Sequence, residues 1–77
     1  MNSDDIKILI ETSIKDAVAI VSSDDNVHFE AVVISPAFRE KSSIQRHQMV
    51  YGSLGEKMQS EIHALSLTTL TPKENLA

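Results

Sequence analysis

The first part of the chain has its apolar residues on one side of a helix. Charged residues fall mostly on the other side, which is typical of an amphipathic helix. Ser3 is predicted as the N-cap, and Asp4 and Asp5 then lie in the first turn, where carboxylates suit the positive end of the helix dipole. The apolar positions are Ile6, Leu9, Ile10, Ile14 and Ala17.

Two β-strands joined by a polar turn are predicted next. β-branched residues alternate from Ala17 to Val21, and the cluster from Ser22 to Asn26 supplies side chains that hydrogen-bond a turning backbone. The second strand runs from about Val27 to Ser35, and Pro36 ends it. Its two faces are Phe29, Ala31 and Val33 on one side, and His28, Glu30, Val32 and Ile34 on the other.

A second helix follows a loop in which Phe38 is the one apolar anchor. Ser42 and Gln45 match the S-x-x-Q capping box, and the helix is predicted to run to about residue 59. Gly52 and Gly55 each cost this helix roughly 1 kcal/mol relative to alanine, and their spacing suggests close packing against the sheet. The predicted apolar stripe is Ile44, His47, Tyr51, Leu54 and Met58.

The same two glycines form a G-x-x-G string, which clamps nucleotides in KH domains only when it lies in a loop between helices. Because the helical pattern continues to Met58, the string is interpreted as part of the helix and as evidence against KH-type RNA binding.

An uncharged segment from Ile62 to Leu70 predicts a third strand, which Thr71 and Pro72 end. Pro72 can also start a short final helical turn. The order α-β-β-α-β predicts an α+β fold, a two-layer sandwich with both helices on one face of a three-stranded sheet. We expect a single domain over residues 1–77, with its core at about 3–71 and a short tail at 72–77.

The composition limits the function. A chain of 77 residues allows one core, and 42% hydrophobic with 23% charged residues is typical of a folded protein. Without cysteine, any thiolate must come from a partner. No apolar run approaches the roughly 20 residues that cross a bilayer, so we expect a cytoplasmic protein without membrane contact. A net charge of -4 disfavours non-specific binding to nucleic acid.

The chain contains four ordered motifs, at residues 28–35 (HFEAVVIS), 46–51 (RHQMVY), 62–65 (IHAL) and 70–74 (LTPKE). Together they resemble the BolA-like family, especially its short bacterial members. The resemblance extends from about residue 6 to residue 74 and implies a fold similar to the class II KH arrangement. It also implies a non-enzymatic protein that pairs with a monothiol glutaredoxin and shares a bridging 2Fe-2S cluster, in cluster trafficking or iron sensing. Some members are described as DNA-binding regulators.

His63 is the cluster ligand that the resemblance implies, because it stands in the family motif at residues 62–65. A neutral imidazole suits an iron whose other ligands are thiolates. Those thiolates would come from the glutaredoxin and a bound glutathione, so the isolated chain is expected to hold no cluster. On the residues alone, a solvent-facing strand histidine is the alternative interpretation.

The second ligand is left open by the sequence. Some family members have His or Cys in the loop between the first two strands, and here residues 22–26 contain neither. His28 lies just beyond that loop and is a weaker candidate, although its position resembles the first residue of the second strand. Asp24 or Asp25 offers a carboxylate, but hard oxygen suits the iron of such clusters less well than nitrogen or sulphur.

The remaining candidates lie on or near the second helix. His47 is interpreted as a partly buried structural residue. Arg39, Lys41 and Arg46 form the chain's basic concentration and are the candidates for contact with DNA phosphates. Where the family often has Arg-His-Arg, Gln48 here replaces the second arginine, so one positive charge is missing.

Three classes of function therefore compete. The first is an interaction module that shares a cluster, the second is a small DNA-binding regulator, and the third is an adaptor that binds neither metal nor nucleic acid. Whether the chain forms a homodimer stays open. The serines have no evident His-Asp partners and no glycine-rich loop follows a strand, so the sequence predicts no enzymatic activity.

Overall fold

The chain folds as helix, two strands, helix and strand, with three short helical segments added. The computed structural model describes residues 1–60, 62 and 64–76. The predicted α+β class and element order are confirmed. The elements are α1 (Ser3–Ser13), β1 (Val18–Ser22), β2 (His28–Ile34), a 3-10 turn (Pro36–Phe38), α2 (Ser43–Leu54), α3 (Lys57–Ser60), β3 (Ala64–Leu70) and α4 (Pro72–Leu76).

The strands form one mixed sheet in the order β1-β2-β3. β1 runs antiparallel to β2, and β2 runs parallel to β3 with His28 opposite Ala64. A parallel pair needs a crossover connection, which α2 and α3 supply here. α1 packs against β1 and against α2, and α2 also contacts β3. The helices therefore cover one face of the sheet, as predicted.

The core lies between the helices and the covered face of the sheet. Burial alternates along β2, so the face predicted from Phe29, Ala31 and Val33 is the buried one. Phe38, predicted as the anchor of its loop, is fully buried. The buried apolar residues are Ile6, Ile10, Ile14, Ala19, Phe29, Ala31, Val33, Phe38, Val50, Leu54 and Ile62.

The helix starts are set by capping boxes. Ser42 Oγ accepts the N–H of Gln45 at 3.2 Å, and Gln45 Oε1 accepts the N–H of Ser42 at 2.9 Å, as predicted. At α1 the prediction of Ser3 as N-cap is wrong by one residue. Asn2 is the cap, because its side chain accepts the N–H of Asp5 at 3.0 Å and the carboxylate of Asp5 accepts the N–H of Asn2.

α2 ends five residues earlier than predicted. Gly55 has a φ of +56°, which a residue with a Cβ adopts at a cost, and its N–H donates to the carbonyl oxygen of Tyr51 at 3.1 Å. The predicted close packing of the glycines is wrong, since a Cβ at Gly52 would meet no atom within 4 Å. The interpretation of the G-x-x-G string as helix interior fails at Gly55, which separates α2 from α3.

The predicted apolar stripe of the second helix is also displaced around the helix. Ile44 is 72% exposed and Tyr51 is 39% exposed, whereas Val50 and Leu54 are buried. His47 is half-buried, as predicted, and its ring meets Tyr51 edge-on with 6.4 Å between the centroids. The line of positions 47, 50 and 54 therefore faces the core. Among the described helices, none is long and apolar enough to cross a membrane.

Candidate functional site

The turn between β1 and β2 is organised by two short polar side chains. The Oδ1 atom of Asp25 accepts the N–H groups of Val27 and His28, both at 2.9 Å. The Oγ atom of Ser23 accepts the N–H of Asn26 at 2.9 Å and donates to the carbonyl oxygen of His28 at 2.6 Å. Asn26 has a φ of +58°, a conformation that asparagine tolerates better than most residues. The turn therefore has a defined shape.

His28 is held by this turn and faces solvent. It is the first residue of β2, and its Nδ1 atom lies 2.9 Å from Oδ2 of Asp25. The side chain of His28 is 72% exposed. Three hydrogen bonds hold the pKa of Asp25 well below its usual range. The one from the His28 ring contributes most, and those from the N–H groups of His28 and Val27 come next. Asp25 is therefore ionised at neutral pH and can only accept hydrogen bonds.

An acceptor at Asp25 decides the tautomer of the neutral imidazole. Nδ1 of His28 must carry the proton that is donated, so Nε2 keeps its lone pair. Histidines that ligate metals commonly donate their second ring nitrogen to a carboxylate or carbonyl in this way. The donor chemistry of His28 therefore fits a metal-bound imidazole.

His28 lies beside the chain segment that carries the ligand implied by the family resemblance. Ala64 is the β3 partner of His28, and its N–H donates to the carbonyl oxygen of Val27 at 3.4 Å. His63 itself lies outside the described residues. The residues on either side of it in sequence are Ile62, which is buried in the core, and Ala64. A groove of about 330 Å³ follows this end of the sheet and is lined by the β1–β2 turn, His28 and Ala64.

The groove does not by itself assemble a complete metal site. Within residues 1–60, 62 and 64–76, no three His, Asp or Glu side chains converge to hold an ion. Asp24 and Asp25 both line the groove, yet the oxygens of Asp25 are already used by four hydrogen bonds. What the described residues offer is one oriented and accessible nitrogen donor, with any further ligands left to His63 or to another molecule.

Arg46 is tied into the fold rather than directed at solvent. Its side chain is 13% exposed, and its Nη1 atom donates to Oε1 of Glu74 at 2.7 Å. Its Nε atom donates to the carbonyl oxygen of Lys41 at 3.0 Å, and its guanidinium carbon lies 5.9 Å from the centre of the Phe38 ring. Arg46 therefore joins the loop, α2 and the C-terminal helix, while Arg39 and Lys41 are exposed.

The C-terminal segment contains a capping box that the sequence analysis did not identify. The N–H of Glu74 donates to Oγ1 of Thr71 at 3.2 Å, and the N–H of Thr71 donates to Oε1 of Glu74 at 2.8 Å. The signal is the T-x-x-E spacing at residues 71–74. The short helical turn predicted at Pro72 is confirmed as α4. The hydrogen bond from the Arg46 side chain is the largest cause, and the N–H of Thr71 the next, of a pKa of the Glu74 carboxyl that is lowered to about 2.

We expect the contribution of Glu74 to stability to disappear in acid. A carboxyl whose folded-state pKa is lowered stabilises the fold above its ordinary pKa of 4.5, and that stabilisation is lost as the pH falls towards 2. The melting temperatures of the natural protein and of Glu74→Gln should therefore differ at pH 7 and converge near pH 2. The control is Glu30→Gln, on the exposed face of β2. A difference for Glu74→Gln that stays constant with pH would contradict this account.

The fold and the site define a small α+β protein that presents an exposed, carboxylate-held histidine at one end of a mixed sheet. The model of a known family, described as BolA-like protein, matches residues 4–74. The chain belongs to the BolA-like family.

Individual relatives agree with this assignment. A BolA homologue from Coxiella burnetii is 45% identical, with a TM-score of 0.90 over 100% of this chain and 99% of that one. A Haemophilus influenzae protein named DNA-binding transcriptional regulator BolA is 43% identical over 61% of this chain, and the match covers 46% of that protein. SufE-like protein 1 of Arabidopsis thaliana is 39% identical over 66% of this chain. That match covers only 14% of the Arabidopsis protein, so the chain corresponds to less than half of either curated relative.

Proposed function

We propose that this BolA-like protein works without enzymatic turnover as the partner of a monothiol glutaredoxin, with which it shares a bridging 2Fe-2S cluster. Its role would be in cluster trafficking or iron sensing. Family membership supports the proposal, because the family resemblance implies that partnership. The observation that carries it is the exposed imidazole of His28, oriented by Asp25 and placed beside the residue that follows His63.

In this proposal His63 is the chain's first ligand to the cluster. The chain has no cysteine, so the glutaredoxin and a bound glutathione supply the thiolates. Histidine ligation in place of cysteine raises the reduction potential of a 2Fe-2S cluster, which suits a cluster that is transferred or sensed. This chain's own residues supply a neutral nitrogen donor and the groove that receives the partner's surface.

Reconstitution with the partner tests the proposal. The purified protein is mixed anaerobically with a monothiol glutaredoxin, glutathione, ferrous iron and sulphide, and visible circular dichroism and molecular mass are recorded. We expect a 1:1 complex whose spectrum differs from that of the glutaredoxin homodimer. If the chain stays colourless and elutes separately from the glutaredoxin, the proposal is wrong.

DNA binding is the second candidate function, and the name of the Haemophilus influenzae relative favours it. Of the three predicted candidates for phosphate contact, Arg39 and Lys41 are exposed, whereas Arg46 is engaged by Glu74. The net charge of -4 works against this candidate. Duplex DNA bound at physiological ionic strength, with an affinity that falls when both cations are changed to glutamine, would support it over the first.

A further inference from the structure

Two side chains of α1 cover part of the outer edge of β1. The strand order β1-β2-β3 makes β1 an edge strand of the sheet. An edge strand presents unpaired backbone N–H and C=O groups to any strand that approaches it, including one from a second copy of the same chain. We infer that β1 is a self-pairing edge of this protein, and that Lys7 and Glu11 keep it from pairing.

Lys7 and Glu11 form a clamp on the backbone of Ala19. The Nζ atom of Lys7 donates to the carbonyl oxygen of Ala19 at 2.8 Å, and Oε2 of Glu11 accepts the N–H of Ala19 at 2.9 Å. The two side chains are joined by a hydrogen bond of 2.7 Å from Nζ to Oε2. The clamp therefore occupies both backbone groups that an added strand would use at Ala19.

The charge of Glu11 is maintained by the same contacts. The hydrogen bond from the Lys7 side chain, followed by the one from the N–H of Ala19, lowers the pKa of the Glu11 carboxyl. Glu11 is therefore ionised at neutral pH, and an ionised acceptor makes a stronger hydrogen bond than a neutral one. Lysine side chains are a common means of blocking an edge strand, and here the lysine comes from the helix and not from the strand.

The register of the sheet shows which other groups lie on this edge. In an antiparallel pair, successive residues direct their N–H and C=O groups alternately towards the neighbouring strand and away from it. Because those of Ala19 bond to α1, those of Ile20 point to β2, where Val32 is the partner. The groups of Val21 then point outwards again. The clamp thus covers one of the two outward-facing residues within β1 and leaves Val21.

A second copy of β1 is the strand that fits this edge. The segment Val18–Ser22 carries no charge, so two copies meet no like charge along it although the chain has a net charge of -4. In an antiparallel pair centred on Ile20, Ala19 of each copy bonds with Val21 of the other, and the two Ile20 side chains face each other. Ile20 is 59% exposed, so this pairing removes apolar surface from water.

Removal of both clamp side chains tests the inference, which does not depend on the proposed function. Sedimentation equilibrium at protein concentrations up to about 1 mM detects a dissociation constant of that order. We expect the natural protein to be a monomer and Lys7→Ala/Glu11→Ala to have twice its mass. The double substitution leaves the net charge unchanged, and alanine favours the helix. The matched control is Asp4→Ala/Lys15→Ala, at exposed positions outside the clamp, which should stay monomeric.

A folded Lys7→Ala/Glu11→Ala variant that stays monomeric would overturn the inference, and far-ultraviolet circular dichroism establishes that it is folded. A natural protein that dimerises to the same extent would overturn the role of the clamp. Amide hydrogen exchange checks that role in the natural protein without any substitution. The N–H of Ala19 is bonded to Glu11 and that of Val21 points outwards, so exchange should be slower at Ala19. Equal exchange at the two amides would contradict the clamp.

A third substitution tests whether the dimer forms through β1. Ile20→Lys, added to the clamp-free variant, brings two lysines face to face at the centre of the strand pair, and the mass should return to that of the monomer. Ile8→Lys is the control, because Ile8 is 60% exposed on α1 and should leave the dimer intact. In the dimer the amide of Val21 should become protected from exchange. A dimer that persists in Ile20→Lys, or that leaves Val21 unprotected, would overturn the inference.

Discussion

Changing His63 to alanine is expected to abolish the shared cluster while leaving the chain folded. The substitution removes the ligand that the family motif implies. The partner's thiolates then remain, and among the described residues His28 is the one nitrogen donor identified. The complex should lose its distinct visible circular dichroism spectrum, and the glutaredoxin should revert to the spectrum of its homodimer. Far-ultraviolet circular dichroism and the melting temperature check that the variant is folded.

The matched control for this experiment is His47→Gln. His47 belongs to another family motif and is half-buried on α2, where its ring contacts Tyr51. Removing its imidazole tests whether any histidine substitution disturbs the complex. We expect the cluster spectrum of this variant to match that of the natural protein. A normal cluster spectrum from the His63→Ala complex would contradict the proposed ligand.

Changing Phe38 to alanine is expected to have the largest effect on stability. Phe38 is fully buried, with its ring centre 5.9 Å from the guanidinium carbon of Arg46 on α2, and the 3-10 turn that places it is held by Ser35. The Oγ atom of Ser35 accepts the N–H of Ala37 at 3.0 Å and donates to the carbonyl oxygen of Lys15 at 2.6 Å. Removing a buried phenyl ring lowers the free energy of unfolding by about 3 to 5 kcal/mol.

That loss is large for so small a protein, whose total stability is expected to be roughly 4 to 12 kcal/mol. In domains of this size, each kcal/mol of lost stability lowers the melting temperature by about 4 °C or more. The melting temperature of Phe38→Ala should therefore fall by more than about 12 °C. The control is Ile44→Ala, at a position 72% exposed on α2, which should change the free energy of unfolding by no more than about 0.5 kcal/mol. Equal losses for the two variants would contradict the arrangement of the core.

Some of the features that local sequence determines were predicted correctly, but the N-cap of α1 and the capping box at residues 71–74 were not. The alternation along β2 needs only neighbouring residues, and the capping box of Ser42 and Gln45 lies within four positions. The displaced stripe of α2 shows the limit of such patterns. Ile44 and Tyr51 have helical spacing, but the sheet beneath the helix selects the face that contains Val50.

The engagement of Arg46 was not predicted, because it depends on how the chain folds back. Arg46 and Glu74 are 28 positions apart, so no local pattern indicated that this arginine is engaged. The Asp25 and His28 pair did carry a local signal. An aspartate in a polar turn, three residues before a histidine, predicts both backbone hydrogen bonds and a contact with the ring.

The most direct test of the account is pulsed electron paramagnetic resonance on the reduced complex, with only this chain labelled with ¹⁵N-histidine. The account predicts strong nitrogen couplings to the cluster that change from ¹⁴N to ¹⁵N when this chain carries the label and the glutaredoxin does not. A cluster spectrum without such couplings, or with couplings that the label leaves unchanged, would contradict histidine ligation by this protein.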